Sequence, residues 1–476
     1  MYRVHKVDLF AIMVVLHSQS CLSHNPPPII KTRFHWQFPH TMSKEVATKS
    51  TSVDQTDLYA DEQVSSVRVF LFTIFVAFGG FLFGYDCIIG GPLLETWKFK
   101  QDFGFAQADG SKGFSPDVKG LFISILSIGT FCGALTAPFL CDRFGRRIGL
   151  LLTCGIFTAG IVCQVIAGHL AILMIGRWIA GVGVGCVSLM VPLYQSECVP
   201  AKRRGTIVSC YQLAITIGLL IGQIVLACTE TMTGAASYRI PIGLQFVWST
   251  VLAIGLLLLP ETPRWLIRVG RWEDAVRAKV KLTGLPANHP TVQAELTEVK
   301  ANLDHELSLG PASYKQCWQG TNLRRTLLGI FMQAWQQCTQ ISHVAQLIIV
   351  TGVNFIFYYG VSFFVSAGIT APFKVNMILG TVNACMTLPG MYLIERVGRR
   401  RLLLWGAALQ CISHFLVGII HVATHGTQPI FTAVFCATFI AAFAASWGPC
   451  AWVLTSELFG LKTRAKQMSF AVAGNW

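Results

Sequence analysis

The chain has 476 residues, 53% of them hydrophobic and only 13% charged, where a soluble protein carries roughly a quarter charged. A mean hydropathy of +0.55 is too apolar for one water-soluble core and indicates a polytopic membrane protein. The net charge of +14 does not point to nucleic acid, because Lys and Arg sit in short clusters between apolar spans, as in cytoplasmic membrane loops. The 16 cysteines lie mostly singly inside apolar runs (Cys132, Cys154, Cys186, Cys436), where Cys behaves as a small hydrophobe. Neither a disulfide framework, a metal site nor a cofactor is expected. No nucleophile–base set argues for an enzyme.

At the start of the chain, Leu9 to Leu16 is too short an apolar stretch to span a bilayer. Residues 1–67 read as an N-terminal cytoplasmic tail, with Met42 as the natural start and the first 41 residues as an over-extended gene model, a cleaved signal peptide being the alternative. Apolar spans of about 20 residues are expected at 68–90, 118–140, 148–168, 171–194, 206–228 and 240–260. These six form a first half, 68–260. A polar segment, 261–325, follows, and its stretch 271–308 alternates charged and apolar residues as amphipathic surface helices do. A second half, 326–476, holds spans at 327–365, 371–394, 402–422 and 428–455, and an eleventh begins near Met468. Twelve spans are expected for two complete halves and about 10.5 are present, so the chain reads as truncated at its C-terminus.

Basic residues set the topology. Arg143, Arg146 and Arg147 follow the second span, Lys202 to Arg204 the fourth, and Arg396 and Arg399 to Arg401 the eighth. Loops after odd-numbered spans are poor in Lys and Arg, which puts the N-terminus, segment 261–325 and the even loops in the cytoplasm. An internal repeat is also legible. DRFGRR (Asp142 to Arg147) recurs as ERVGRR (Glu395 to Arg400), and SECVPAKRRG (with Glu197 and Arg204) is echoed by SELFGLKTRAK (with Glu457 and Arg464). Parallel halves of this kind place a substrate site near mid-membrane, between two bodies that rock against each other.

Together GGFLFGYD (Gly79 to Asp86), DRFGRR, PLYQSE (Pro192 to Glu197), PETPR (Pro260 to Arg264), ERVGRR and WGPCAW (Trp447 to Trp452) resemble the sugar-porter family of the major facilitator superfamily. RIPIGLQFVWS (Arg239 to Ser249) is similar to fungal hexose transporters. The resemblance covers roughly residues 60 to 476. It implies an all-α membrane protein of two six-helix halves, a multi-pass monomer of the plasma membrane that moves a monosaccharide, with protons and the lipid bilayer as its other partners.

The resemblance carries sugar-binding roles onto Gln212, Gln336, Gln337, Asn354, Asn383 and Trp452. The chemistry agrees, since carboxamides bridge neighbouring hydroxyls and a flat aromatic covers the apolar face of a pyranose. Asp86 and Arg177, both inside spans, are the expected proton-coupling pair, as intramembrane ions are functional hypotheses by default. Asp142, Arg146, Arg147, Glu197, Arg204, Glu261, Arg264, Glu395, Arg399, Arg400, Glu457 and Arg464 form an expected cytoplasmic gate. There Gly145 and Gly398 permit tight turns, while arginines pair with acids when that side is closed.

One departure stands out. Relatives read WQQ-x-x-G-x-N without interruption, but here Gln340 to Thr351 reads as twelve additional residues. As helix, they displace Asn354 from Gln337 by a further ~18 Å, unless they loop out. A retained intron or mis-called splice site would account for them. Two alternatives to transport therefore remain at this point: a transporter-like nutrient sensor, and a gene-model fragment without function.

Overall fold

A computed structural model describes residues 55–106, 111–199, 204–308, 313–338, 341–344, 347–350, 353–366, 368–423 and 429–476. Met42 and the segment before it lie outside these residues. The compact unit Tyr59–Trp476 holds every contact considered below.

Backbone in hydrocarbon must satisfy its own N–H and C=O groups, so apolar runs of this length fold as helices. Six long helices come first: α1 (Gln55–Leu93), α3 (Pro116–Phe144), α4 (Arg146–Val165), α5 (Leu170–Cys198), α6 (Arg204–Thr229) and α7 (Ala236–Leu258). A short α2 (Trp97–Phe103) and a two-residue hairpin, β1 (Phe105–Ala106) with β2 (Lys112–Gly113), lie between α1 and α3. The polar segment forms α8 (Pro263–Arg268), α9 (Trp272–Thr283), α10 (Pro290–Ser308) and α11 (Tyr314–Cys317). Their separate small core of Leu266, Ala275, Val292 and Leu296 is what amphipathic helices are expected to build. Then come α12 (Gly320–Cys338), α13 (Val353–Ser366), α14 (Pro372–Arg396), α15 (Arg399–Ala423), α16 (Pro429–Ala445), α17 (Trp447–Leu458) and α18 (Arg464–Ala473). Among the described residues, eight helical stretches are long and apolar enough to cross a membrane, the last of them, Ala433–Leu458, running through α16 and α17 together.

The expected run 327–365 is broken rather than continuous. Between α12 and α13, β3 (Ile341–Val344) and β4 (Leu347–Val350) pair antiparallel, with Ile341 opposite Val350 and Val344 opposite Leu347. The described part of the insert, Ile341–Val344 and Leu347–Val350, is therefore strand rather than helix. Its β-branched, aliphatic composition suits a strand. Paired residues in a hairpin lie about 5 Å apart, so α12 and α13 resume close together and the ~18 Å displacement does not arise. The expected span 428–455 is likewise two helices. They break at Ser446 (φ −133°, ψ −82°), three residues before Pro449, which lacks a donor and clashes with the carbonyl four residues back.

Small residues let helices approach closely. In the seam between α3 and α5, a Cβ at Gly129, Gly133, Gly181 or Gly185 would lie 2.1–2.5 Å from an opposing carbonyl oxygen. Contacts between early and late helices run along α6 with α14 and α17, and along α3 with α18.

Gly145 and Gly398 both turn with positive φ, +91° and +85°. Gly145, at ψ 170°, occupies a region essentially restricted to glycine, and a Cβ there would lie 2.4 Å from Glu261 Oε2. Nothing lies within 4 Å of a Cβ at Gly398. Gly145→Ala should therefore cost about 1–3 kcal/mol of strain plus displacement of Glu261. Gly398→Ala should cost the strain alone. Thermal unfolding midpoints of the two variants in detergent check this, and equal midpoints would contradict it.

Candidate functional site

A cavity of about 50 Å³ lies inside the helix bundle, lined by Gln212, Ile215 and Leu219 of α6, Gln336 and Gln337 of α12, Phe357 and Tyr358 of α13, Asn383 of α14, Trp452 of α17, and Asn475. By volume it admits a few waters. Five of the six expected substrate residues meet here. The sixth, Asn354, is the second residue of α13, and its side chain lies outside the described structure. The hairpin explains how Tyr358 reaches the same cavity as Gln337 despite the inserted residues.

Hydrogen bonds sort these amides into two groups. Gln336 Nε2 donates to the carbonyls of Trp447 (3.3 Å) and Gly448 (3.1 Å), and its Oε1 accepts from Asn475 Nδ2 (3.0 Å). Asn475 also donates to Gln333 Oε1 (2.7 Å) and accepts from Gln337 Nε2 (3.0 Å). Gln336 and Asn475 thus tie α12 to the break before α17 and to the end of α18. Gln337 Oε1 and both polar atoms of Asn383 have no partner among the described residues, although Asn383 is only 1% exposed. Such groups are costly to bury unbonded, and they are the ones free to meet a hydroxyl. Trp452 is buried and packs edge-on against Tyr211, with ring centroids 5.1 Å apart. Trp447 Nε1 donates to Leu403 O at 3.1 Å, which anchors α17 to α15. Sequence reasoning missed Asn475 and Gln333, although the test that singled out Gln336, a carboxamide in an apolar run, applies equally to them.

Asp86 on α1 and Arg177 on α5 are both buried, at 0% and 2% exposure. Arg177 is the charged neighbour of Asp86 and Gln245 its polar one, yet neither Asp86 oxygen forms a hydrogen bond among the described residues. The Arg177 guanidinium lies over the Phe122 ring, 4.7 Å from its centroid, a cation–π contact that offsets part of its desolvation.

One face of the bundle carries the charged motifs. Arg146 binds Glu197 at 2.8 Å and lies 3.8 Å from Asp142, which also pairs with Arg268 at 2.8 Å. Glu261 accepts from the backbone N–H groups of Arg146 (3.0 Å), Arg147 (3.0 Å) and Thr262 (2.9 Å). Burial raises its carboxyl above the usual range even though these bonds oppose the shift. Arg147 was expected to pair with an acid, but its side chain instead caps α7 at the carbonyls of Leu256 (2.9 Å) and Leu257 (2.6 Å), where a helix end favours a cation. Arg400, expected in the same network, is exposed. Among the later helices Arg399 pairs with Glu457 at 3.0 Å. Glu395 forms no ion pair among the described residues; it accepts from the backbone N–H of Thr206 (3.2 Å) and from its hydroxyl. That puts a carboxylate at the N-terminal, electropositive end of α6. Arg204 begins α6, while Arg264 of α8 and Arg464 of α18 are engaged in contacts of their own.

A family model described as Sugar (and other) transporter matches residues 72–476. The chain belongs to this family. As a sugar-transporter family member it is a multi-pass membrane transporter and not an enzyme. It is similar to the probable glucose transporter rco-3 of Neurospora crassa, 43% identical over 420 residues that cover 87% of this chain and 69% of that one. It is also similar to the high glucose sensor RGT2 of Saccharomyces cerevisiae, 40% identical over 426 residues, 87% of this chain and 53% of that one. Among solved structures it resembles the major facilitator superfamily proton:xylose symporter XylE bound to 6-bromo-6-deoxy-D-glucose. The TM-score is 0.73 and the identity 26%, with 87% of this chain and 86% of that one covered. The sugar-transporter chain therefore has the major facilitator fold.

Proposed function

We propose that the protein carries a hexose such as glucose across the plasma membrane by alternating access, with proton symport. The observation that carries this reading is the central cavity. It gathers Gln212 from one half and Gln337, Asn383 and Trp452 from the other, so a bound sugar is held by both bodies and the closing of either side is felt at the substrate. The open valences of Gln337 and Asn383 suit hydroxyls, and the indole of Trp452 suits the apolar face of a pyranose. Asn475 joins them as a positioning amide. The basic face is the cytoplasmic one, by the excess of Lys and Arg in its short loops. On that side the Arg146–Glu197 and Arg399–Glu457 pairs brace each half, and Glu395 links the halves through Thr206. These contacts form a gate that biases a two-state equilibrium. Asp86 is the proton site and Arg177 the cation whose field it senses.

A sensor is the second reading, favoured by the 40% identity to a glucose sensor. Expression in yeast lacking hexose transport separates the two. Transport predicts saturable uptake of radiolabelled glucose and growth on it. Glucose binding by the purified chain without uptake would sink transport in favour of sensing.

A further inference from the structure

The face opposite the charged motifs contains a built contact that spans the two halves. Glu95 follows directly on α1, and its side chain is only 9% exposed. Its Oε2 accepts from Lys100 of α2 at 2.7 Å. Its Oε1 accepts from Lys119 of α3 at 2.6 Å and from the Ser362 hydroxyl of α13 at 2.6 Å. A second carboxylate of this region, Asp102, is taken up by Lys98 (2.7 Å) and Tyr238 (3.0 Å), so it does not draw Lys100 away.

The contact sits on a seam. One turn deeper on both helices, a Cβ at Gly91 would lie 1.7 Å from the Tyr358 carbonyl oxygen. The backbones of α1 and α13 therefore touch. Tyr358 lines the cavity; Ser362 lies four residues further along the same face of α13, and Glu95 sits in the turn just past the end of α1. For the cavity to open toward this side, α13 must come away from α1, and the Glu95–Ser362 bond must break. The two lysines belong to the same half as Glu95, so they hold the carboxylate in place while Ser362 arrives and leaves. Burial works against ionisation of Glu95, but the bonds from Lys100, Lys119 and Ser362 outweigh it and hold its carboxyl at about 2. The acceptor thus stays charged at any physiological pH.

We propose that Glu95 is a positioning residue of the transport cycle, a fixed carboxylate that latches α13 through Ser362 and holds the outer side of the cavity shut. The word outer rests on the sidedness argued above for transport. The test itself needs no sugar, so it stands apart from the identity of the substrate. Cys87 lines the cavity and reports whether that side is open. Intact cells expressing the full chain are treated with a membrane-impermeant maleimide, and modification of Cys87 is read by peptide mass spectrometry. Ser362→Ala removes only the leaving partner and keeps both lysine pairs. It should speed labelling of Cys87 from outside on the order of tenfold, the scale of one hydrogen bond to a charged group. Ser362→Thr, which keeps the hydroxyl, should restore the slow rate, and Glu95→Gln should match Ser362→Ala. Labelling of Ser362→Ala at the parent rate, with the protein at parent abundance, overturns the latch. So does fast labelling in Ser362→Thr. Uptake failing in the parent chain would instead count against transport and leave the labelling result to decide the latch.

Discussion

An Asp86→Asn protein is expected to equilibrate labelled hexose across the membrane but never to concentrate it. In the structure Asp86 is fully buried, neither of its oxygens is bonded among the described residues, and the Arg177 guanidinium rests on the Phe122 ring. A carboxyl so placed can take a proton without first breaking an ion pair, and can lose it again when Arg177 swings toward it. Asparagine keeps the size and loses the titration. The accumulation ratio in energised cells should fall from well above one to one, while counterflow of preloaded sugar persists. Uphill accumulation surviving the change would remove protons from the mechanism at this site. Loss of counterflow as well would mean that Asp86 holds structure rather than a proton.

Asn383→Leu should weaken sugar binding by an order of magnitude or more and leave the empty protein as stable as before, or more so. Both polar atoms of Asn383 are buried and unbonded, a state that costs about 1–3 kcal/mol per group, and leucine of similar size removes that cost. Gln336→Leu should behave oppositely. Its amide is committed to the carbonyls of Trp447 and Gly448 and to Asn475, so its loss strands partners in the interior and lowers the unfolding temperature. Isothermal binding of glucose and thermal unfolding, measured on both variants, decide the matter. A destabilised Asn383→Leu protein would show that this amide is held by something in the wall.

The spans were legible because hydrocarbon leaves a segment of that length little choice but helix, and the charged repeats marked their ends. The amides that line the cavity were legible because a carboxamide inside an apolar run is expensive and therefore conspicuous. What stayed hidden had no such signature. The stretch Ile341–Val350 is apolar and short, and periodicity does not separate helix from hairpin in such a run. Arg147 looked like its neighbour Arg146; only the end of α7 beside it made it a cap for carbonyls rather than half of an ion pair. Glu95 belongs to no motif. Its partners lie 5, 24 and 267 residues away, and the farthest of them is brought to it only by the seam between α1 and α13.

The division among the cavity amides also bears on how such a protein changes over generations. Gln336 and Asn475 hold up the wall, while Gln337 Oε1 and Asn383 contribute nothing to it and face the space where a ligand sits. On the proposed reading, a mutation at Asn383 alters which hydroxyls are recognised without spending the stability that keeps the bundle folded. Preference among sugars can drift by single substitutions on an unchanged scaffold, and the helices that rock need not be rebuilt each time the diet does.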